Sequence, residues 1–172
     1  MARFVLTLVG ADRSGLVAAV AERVRTHSGN WESSQLAEIA GVFAGVVQIT
    51  VPDAQAADLL DALGAMDGLA ITTHEGSDDP PARVDDRVVA LTVLGNDRPG
   101  IIGEVTAVLG THRVNIDRMT TEVRDASMSG GSLFEASVTA HVPAAVDVEA
   151  LRDDLERIAS EVQVDIAFAA PA

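Results

Sequence analysis

The feature that most constrains this chain is that it aligns with itself. Sliding the sequence by 85 positions sets residues 6 to 30 against 91 to 115, with ten identities in 25 ungapped places. Leu6-Thr7 falls on Leu91-Thr92, Gly10 on Gly95, Asp12-Arg13 on Asp97-Arg98, and Gly15 on Gly100. Val20 meets Val105, Thr26-His27 meet Thr111-His112, and Asn30 meets Asn115. Most of the other pairs exchange one apolar residue for another. Self-similarity at a fixed spacing marks a duplicated structural unit. Between the copies, "GSDDPPARVDDR" at 76 to 87 combines Pro, Gly and four Asp with almost nothing apolar, the composition of a linker. The expected organisation is one unit over 1–76, a linker over 77–87 and a second unit over 88–172.

Each copy reads the same way. An apolar run opens it, Phe4 to Val9 and then Val88 to Leu94, short, rich in β-branched residues and apolar on both faces, as a central strand would be. A helical pattern follows. Ile101, Ile102, Val105, Val108 and Leu109 fall on one helix face, and Leu16, Val17, Val20 and Val24 repeat that face. Two extended segments come next, 30–39 and 42–51 in the first copy, turning at Ala40-Gly41. In the second copy Phe134, Ala136, Val138, Ala140 and Val142 alternate with other residues, as in a half-buried strand. A second helix is carried by Leu59, Leu60, Leu63 and Met66, and by Val148, Leu151, Leu155, Ile158 and Val162. A last strand closes each copy, Leu69 to Thr73 and Val164 to Phe168. The order βαββαβ, twice, predicts an α+β chain of two ferredoxin-like units in tandem. Two helices cover one face of each antiparallel sheet, and the other face needs cover from a sister unit or a second chain, so a homodimer is expected.

Composition excludes several functions. The chain of 172 residues has no cysteine, which rules out disulfides, thiolate zinc sites and a Cys nucleophile. It carries a net charge of -14, and its twelve basic residues are scattered among acids. Binding a phosphate backbone needs clustered cations, so direct nucleic-acid binding and docking on an anionic membrane are both disfavoured. With one Trp and four Phe there is little to stack bases on. The N-terminal "FVLTLVGA" is too short for a signal peptide and is read as a buried strand, and no stretch is long enough to span a bilayer. A cytoplasmic protein is expected.

The strand-to-helix turns are where chemistry is sought. "LGNDRPGIIGEV" at 94–105 and "VGADRSGLVAAV" at 9–20 place two glycines around a charged pair. Glycine permits positive φ and close approach. Pro99 suits a first helical turn, and Asp97 is expected to cap the helix start. A helix N-terminus also attracts a carboxylate, while Asp12 and Asp97 supply a negative group for an ammonium. Asn30 and Asn115 add an amide where the next strand begins. These are parts for gripping an amino acid by its shared backbone end.

The stretch "NDRPGIIGEVTAVLGTHRVNI" resembles an ACT domain, the small-molecule regulatory module of amino-acid metabolism. The resemblance rests on D-R-P-G, the helix after it, and Asn-Ile at the second strand. "ADRSGLVAAVAERVRTHSGNW" repeats it, with Ser14 in place of the Pro and Trp31 in place of the Ile. Tandem units with no attached enzyme, and the stretch "SSQLAEIAGVFAGVVQITVP", are similar to the group of glycine cleavage system transcriptional repressors. What the resemblance implies is sensing of a small amino acid, glycine or serine, with the turn of one unit facing the second strand of a neighbour. The residues that match are Gly95, Asp97, Arg98, Gly100 and Asn115, and in the first unit Gly10, Asp12, Arg13, Gly15 and Asn30. Signalling would run through a partner protein, a client regulator or an enzyme.

Other constellations point elsewhere. His27 and His112 are repeat-equivalent at helix ends and are read as capping residues. His141 sits on the polar side of a strand, and no HExxH or paired ligand spacing occurs, so no metal is expected. Neither turn has the G-x-G-x-x-G spacing of a dinucleotide site, so no cofactor is expected. No serine lies in a G-x-S-x-G turn and no catalytic base is placed by any motif, so no enzymatic activity is expected. "LRDDLERIASE" is read as a solvated helix face with a pair between Asp153 and Arg157. "RDASMSGGS" at 124–132 lengthens the second hairpin by six residues and is read as a surface loop, with a lid or partner contact as the sharper reading. The alternative to the sensor is an assembly module that has kept the fold without the ligand.

Overall fold

A computed structural model describes residues 1–76, 86–126 and 131–169. The chain divides into two compact units, Met1–Pro81 and Ala82–Ala172. Unit 1 runs β1 (Ala2–Ala11), α1 (Leu16–Thr26), β2 (Asn30–Ile39), β3 (Val42–Val51), α2 (Asp53–Gly64) and β4 (Leu69–Glu75). Unit 2 runs β5 (Arg87–Asn96), α3 (Ile101–Thr111), β6 (Asn115–Ala126), β7 (Gly131–Val142), α4 (Val148–Val162) and β8 (Val164–Ala169). The sheets are antiparallel with orders β2-β3-β1-β4 and β6-β7-β5-β8. This is βαββαβ twice, as the hydrophobic periods predict. Most of the expected linker and residues 127–130 of the expected loop lie outside the described residues; the rest of that loop belongs to β6 and β7.

The cores are repeat-equivalent. Leu6 and Leu8 of β1 are fully buried with Ile49 of β3, Val20 of α1 and Leu59 of α2, and Leu91, Val93, Val105 and Leu151 do the same in unit 2. Burying such a side chain is worth about 1.5–3 kcal/mol. The alternating residues of β7 expected to face inward are all buried. Two details differ from expectation. Val17 is exposed, because α1 shows the sheet a narrower stripe that returns at Leu16, Val20 and Val24. Met66 is buried but lies beyond α2, reached by the chain as it turns toward β4.

Helices α1 and α3 end identically. His27 and His112 are their C-cap residues by position; the His27 ring caps the Arg23 carbonyl as expected, whereas the His112 ring turns to Asp154. The stop itself is the next residue, Ser28 or Arg113, left-handed at φ 57° in both. The amides of Gly29 and Val114 then bond to the carbonyls of Val24 and Leu109, and those of Ser28 and Arg113 to Arg25 and Gly110. That pairing satisfies carbonyls the helix leaves open. Both edge strands β2 and β6 carry a register shift, between Trp31 and Ser33 and between Ile116 and Arg118.

The open sheet faces are where the units part. Across unit 1, the row at the far end of the sheet is Ile39, Val42 and Ala11, and the next is Ala37, Ala44, Val9 and Ala70. The corresponding rows of unit 2 are Arg124, Leu133 and Asn96, then Glu122, Glu135, Leu94 and Asp165. Arg124 ion-pairs with both Glu122 and Glu135.

Candidate functional site

Each corner is built where a central strand delivers the chain to a helix. Gly15 and Gly100 are the N-cap residues of α1 and α3, left-handed at φ 89° and 101°. That conformation favours glycine and explains why both turns carry one. Their carbonyls accept the first helical bonds, from the amides of Ala19 and Glu104. Neither helix start has a side-chain cap, so Asp97 does not cap α3. The left-handed glycine turns the chain so that Asp97 lies outside the first turn. Helix α4, by contrast, is capped by Asp147, which accepts from the amides of Glu149 and Ala150.

The carboxylates of Asp12 and Asp97 accept no hydrogen bond from a described residue, and both residues are exposed. Their backbone amides tie the corners to the neighbouring hairpin, Asp12 to the Gly41 carbonyl at 2.9 Å and Asp97 to Ser132 at 2.8 Å. The arginines are engaged by the protein itself. The Arg13 guanidinium donates to the Asp67 carbonyl at 2.6 Å. Arg98 donates to Val162 at the end of α4 at 3.2 Å and pairs with Glu104 at 3.2 Å. A cation placed on the last carbonyls of a helix also meets the negative end of its dipole.

Gly10 and Gly95 serve the approach of their own chain. A Cβ at Gly10 would lie 2.3 Å from the Gly68 carbonyl oxygen. One at Gly95 would lie 2.6 Å from Val164 Cγ1 and 2.9 Å from its Cα. Beside Gly95 and Asn96 opens a cleft of about 750 Å³, which Glu156, Ser160, Gln163 and Asp165 also line.

Asn30 and Asn115 lie at the other end of their sheets. Asn30 pairs with Thr50, which pairs with Arg3, whereas the corner follows Ala11. Eight residues of strand separate the two rows, roughly 26 Å at the usual rise. The structure thus gathers Gly10, Asp12, Arg13 and Gly15 in one corner, and Gly95, Asp97, Arg98 and Gly100 in the other, but keeps each Asn apart from the corner of its own unit.

Each Asn instead belongs to a cluster the sequence did not announce. The strand bulge turns a carboxylate, Glu32 or Asp117, onto the open face. Asn30 donates to Glu32 at 2.8 Å and Asn115 to Asp117 at 3.3 Å. The third member differs. In unit 1 it is the Thr50 hydroxyl, 2.8 Å from Glu32. In unit 2 it is His141, whose Nε2 lies 2.6 Å from Asp117. The Asn30 amide, then the Thr50 hydroxyl and the Arg3 charge, hold the Glu32 carboxyl below the usual carboxylate range. The only signal in sequence was the repeat of an acid two places after each Asn.

Elsewhere, Arg157 pairs with Asp154 and Glu161, not with Asp153, because α4 turns Asp154 toward it three residues back. No group of His, Cys, Asp or Glu forms a metal-binding cluster among the described residues. No helix among them is long and apolar enough to cross a membrane.

Two ACT-domain profiles match the chain, one over residues 2–74 and the other over residues 89–160. The chain belongs to the ACT-domain family, as two domains in tandem. It is 25% identical over 166 residues to the glycine cleavage system transcriptional repressor of Escherichia coli (strain K12), covering 92% of this chain and 84% of that one. A crystal structure of an unknown protein from Galdieria sulphuraria is 30% identical with a TM-score of 0.84, and the match covers 99% of both chains. A solved candidate glycine cleavage system transcriptional repressor superposes with a TM-score of 0.66 at 18% identity, over 99% of this chain and 98% of that one, and shares the fold. Tandem ACT domains and likeness to a repressor support a regulatory, amino-acid-sensing role over a catalytic one.

Proposed function

We propose that this chain is a non-catalytic cytoplasmic regulator that binds a small amino acid, glycine or serine, where ACT units meet. It passes the signal to a client regulatory protein or enzyme. It works as a homodimer, without cofactor, nucleic acid or membrane.

The observation that carries the reading is the pair of corners. Each offers a helix start with no side-chain cap and an exposed aspartate whose carboxylate has no partner among the described residues. The uncapped amides suit the ligand carboxylate and the aspartate suits its ammonium. Since each Asn lies far from its own corner, one ligand touches a corner and an Asn only if two units contribute. Binding then couples to the packing of units, and it shifts that packing only through its differential affinity for the two arrangements. Glycine has five heavy atoms, and about 1.5 kcal/mol per atom bounds its affinity near micromolar.

A thermal-shift panel of the common amino acids tests this. Glycine or serine should raise the Tm, and Asp97→Ala and Asn115→Ala should each remove the shift. A flat response to every amino acid would overturn it. A second reading, a ligand-free assembly module, is favoured by one observation: Arg13 and Arg98 are already held by the protein's own carbonyls. It predicts that flat panel together with a stable protein complex.

A further inference from the structure

Unit 1 exposes a run of apolar side chains at one end of its open sheet face. On its open face Ile39 is 74% exposed, Val9 50%, and Val42 and Val46 46% each. At the equivalent rows unit 2 presents Glu122, Arg124, Glu135 and Asp165 beside Leu94 and Leu133, with Leu94 38% exposed. Within one duplicated fold, then, this end of the open face is apolar in unit 1, whereas in unit 2 an ion-paired cluster interrupts it.

We propose that the open sheet face of unit 1 is a homotypic interface, covered by the same face of a second copy about a two-fold axis. The inference rests on the homodimer in the reading above and identifies its surface; it requires no ligand.

The chain carries -14, so two copies repel over most of their surfaces. Among the described residues, the charged groups on this face are Arg3 and Glu32, opposite in sign and at the end away from Val9 and Val42. A face without net charge, apolar at its Val9 and Val42 end, is where a second copy of an acidic chain meets least repulsion. Covering it with the open face of unit 2 would desolvate Glu122, Arg124, Glu135 and Asp165 against valines, which buried ion pairs seldom repay.

Area and shape agree. Three strands of ten residues and one of seven, about 4.8 Å apart, give a footprint of roughly 600 Å². The corrugated accessible surface is larger than a flat footprint, and a stable interface takes about 800 Å² from each partner. Two twisted sheets pack face to face about 10 Å apart with their side chains interleaved. Ala37 and Ala44 lie between the valines and leave gaps for the partner's. The patch ends at Ala11, so the partner copy would border the corner that begins at Asp12.

The test is the mass of the full chain by sedimentation across micromolar concentrations. The wild type should be a dimer. Val46→Glu and Val42→Glu should each weaken it at least about tenfold, while Leu94→Glu in unit 2 leaves it intact. Val46→Thr keeps the β-branched shape and should weaken the dimer with its far-UV spectrum unchanged, which separates association from misfolding. A dimer that ignores the unit 1 variants but dissociates with Leu94→Glu would overturn this assignment and leave the homodimer standing. A monomer throughout would overturn both.

Discussion

Unit 1 and unit 2 agree wherever side chains face the core and disagree at the open end of the sheet. Leu6 and Leu91, Val20 and Val105, Val24 and Leu109 occupy matching buried positions. On the open face Ala37, Ile39 and Ala44 of one unit stand where Glu122, Arg124 and Glu135 stand in the other. Close packing penalises a change of volume or polarity inside, so the two cores stayed alike. Outside, each face answers to what it meets. The duplication therefore separates what the fold needs from what each unit does.

The largest expected effect probes the shared part. Leu6→Ala and Leu91→Ala should each cost about 2–5 kcal/mol, because both side chains are fully buried. Hydrogen exchange should place each loss in the mutated unit, since each unit has its own core. A loss spread evenly over both units would break the comparison.

Next come the two tight glycines. Gly10→Ala and Gly95→Ala should cost about 1–3 kcal/mol by overpacking. Gly10 should be the worse, as its nearest obstacle is a backbone oxygen at 2.3 Å, whereas at Gly95 it is a valine methyl at 2.6 Å. Denaturant midpoints of the two variants give the order.

The arginine ties should differ more modestly. Arg98→Ala loses a bond to the end of α4 and an ion pair with Glu104, about 1 kcal/mol together. Arg13→Ala loses one exposed bond and should cost less. Equal costs would show that the Glu104 pair contributes nothing.

The smallest effect separates the paired histidines. His27 bonds through Nδ1 to the Arg23 carbonyl, whereas His112 reaches Asp154 at 2.8 Å. The His112 contact first, and then Arg157, hold the Asp154 carboxyl below its ordinary value. A depressed carboxyl pKa adds stability that is present above the unfolded value and is lost as pH falls through the folded one. His112→Ala should thus raise the Asp154 titration in an NMR pH series and flatten the acid loss of stability in unit 2. His27→Ala should do neither.

Much of this architecture was legible in the chain. Strands β2 and β3 fall on 30–39 and 42–51 as expected, because Ala40 and Gly41 both take positive φ and close a two-residue hairpin. The repeat alone marks both corners, at Asp12 and at Asp97. What stayed hidden was set by contacts distant in sequence. Gly10 reads as a site for ligand approach until β4 is seen packed against it. Arg98 reads as a ligand group until the end of α4 arrives beneath it. Asn30 and Glu32 are two places apart, but only the bulge and Thr50 from β3 make them a cluster.

The corners are the centre of the account, and backbone amide NMR reads them directly. Titrating glycine or serine into the full chain should move the amide signals of the first turn of α1 or α3, after Gly15 or Gly100, with saturation at micromolar or weaker concentrations. Asp97→Ala should abolish the movement in α3. If those helix-start signals stay fixed up to millimolar concentrations of every common amino acid, the corners are structural turns and the sensor account is wrong.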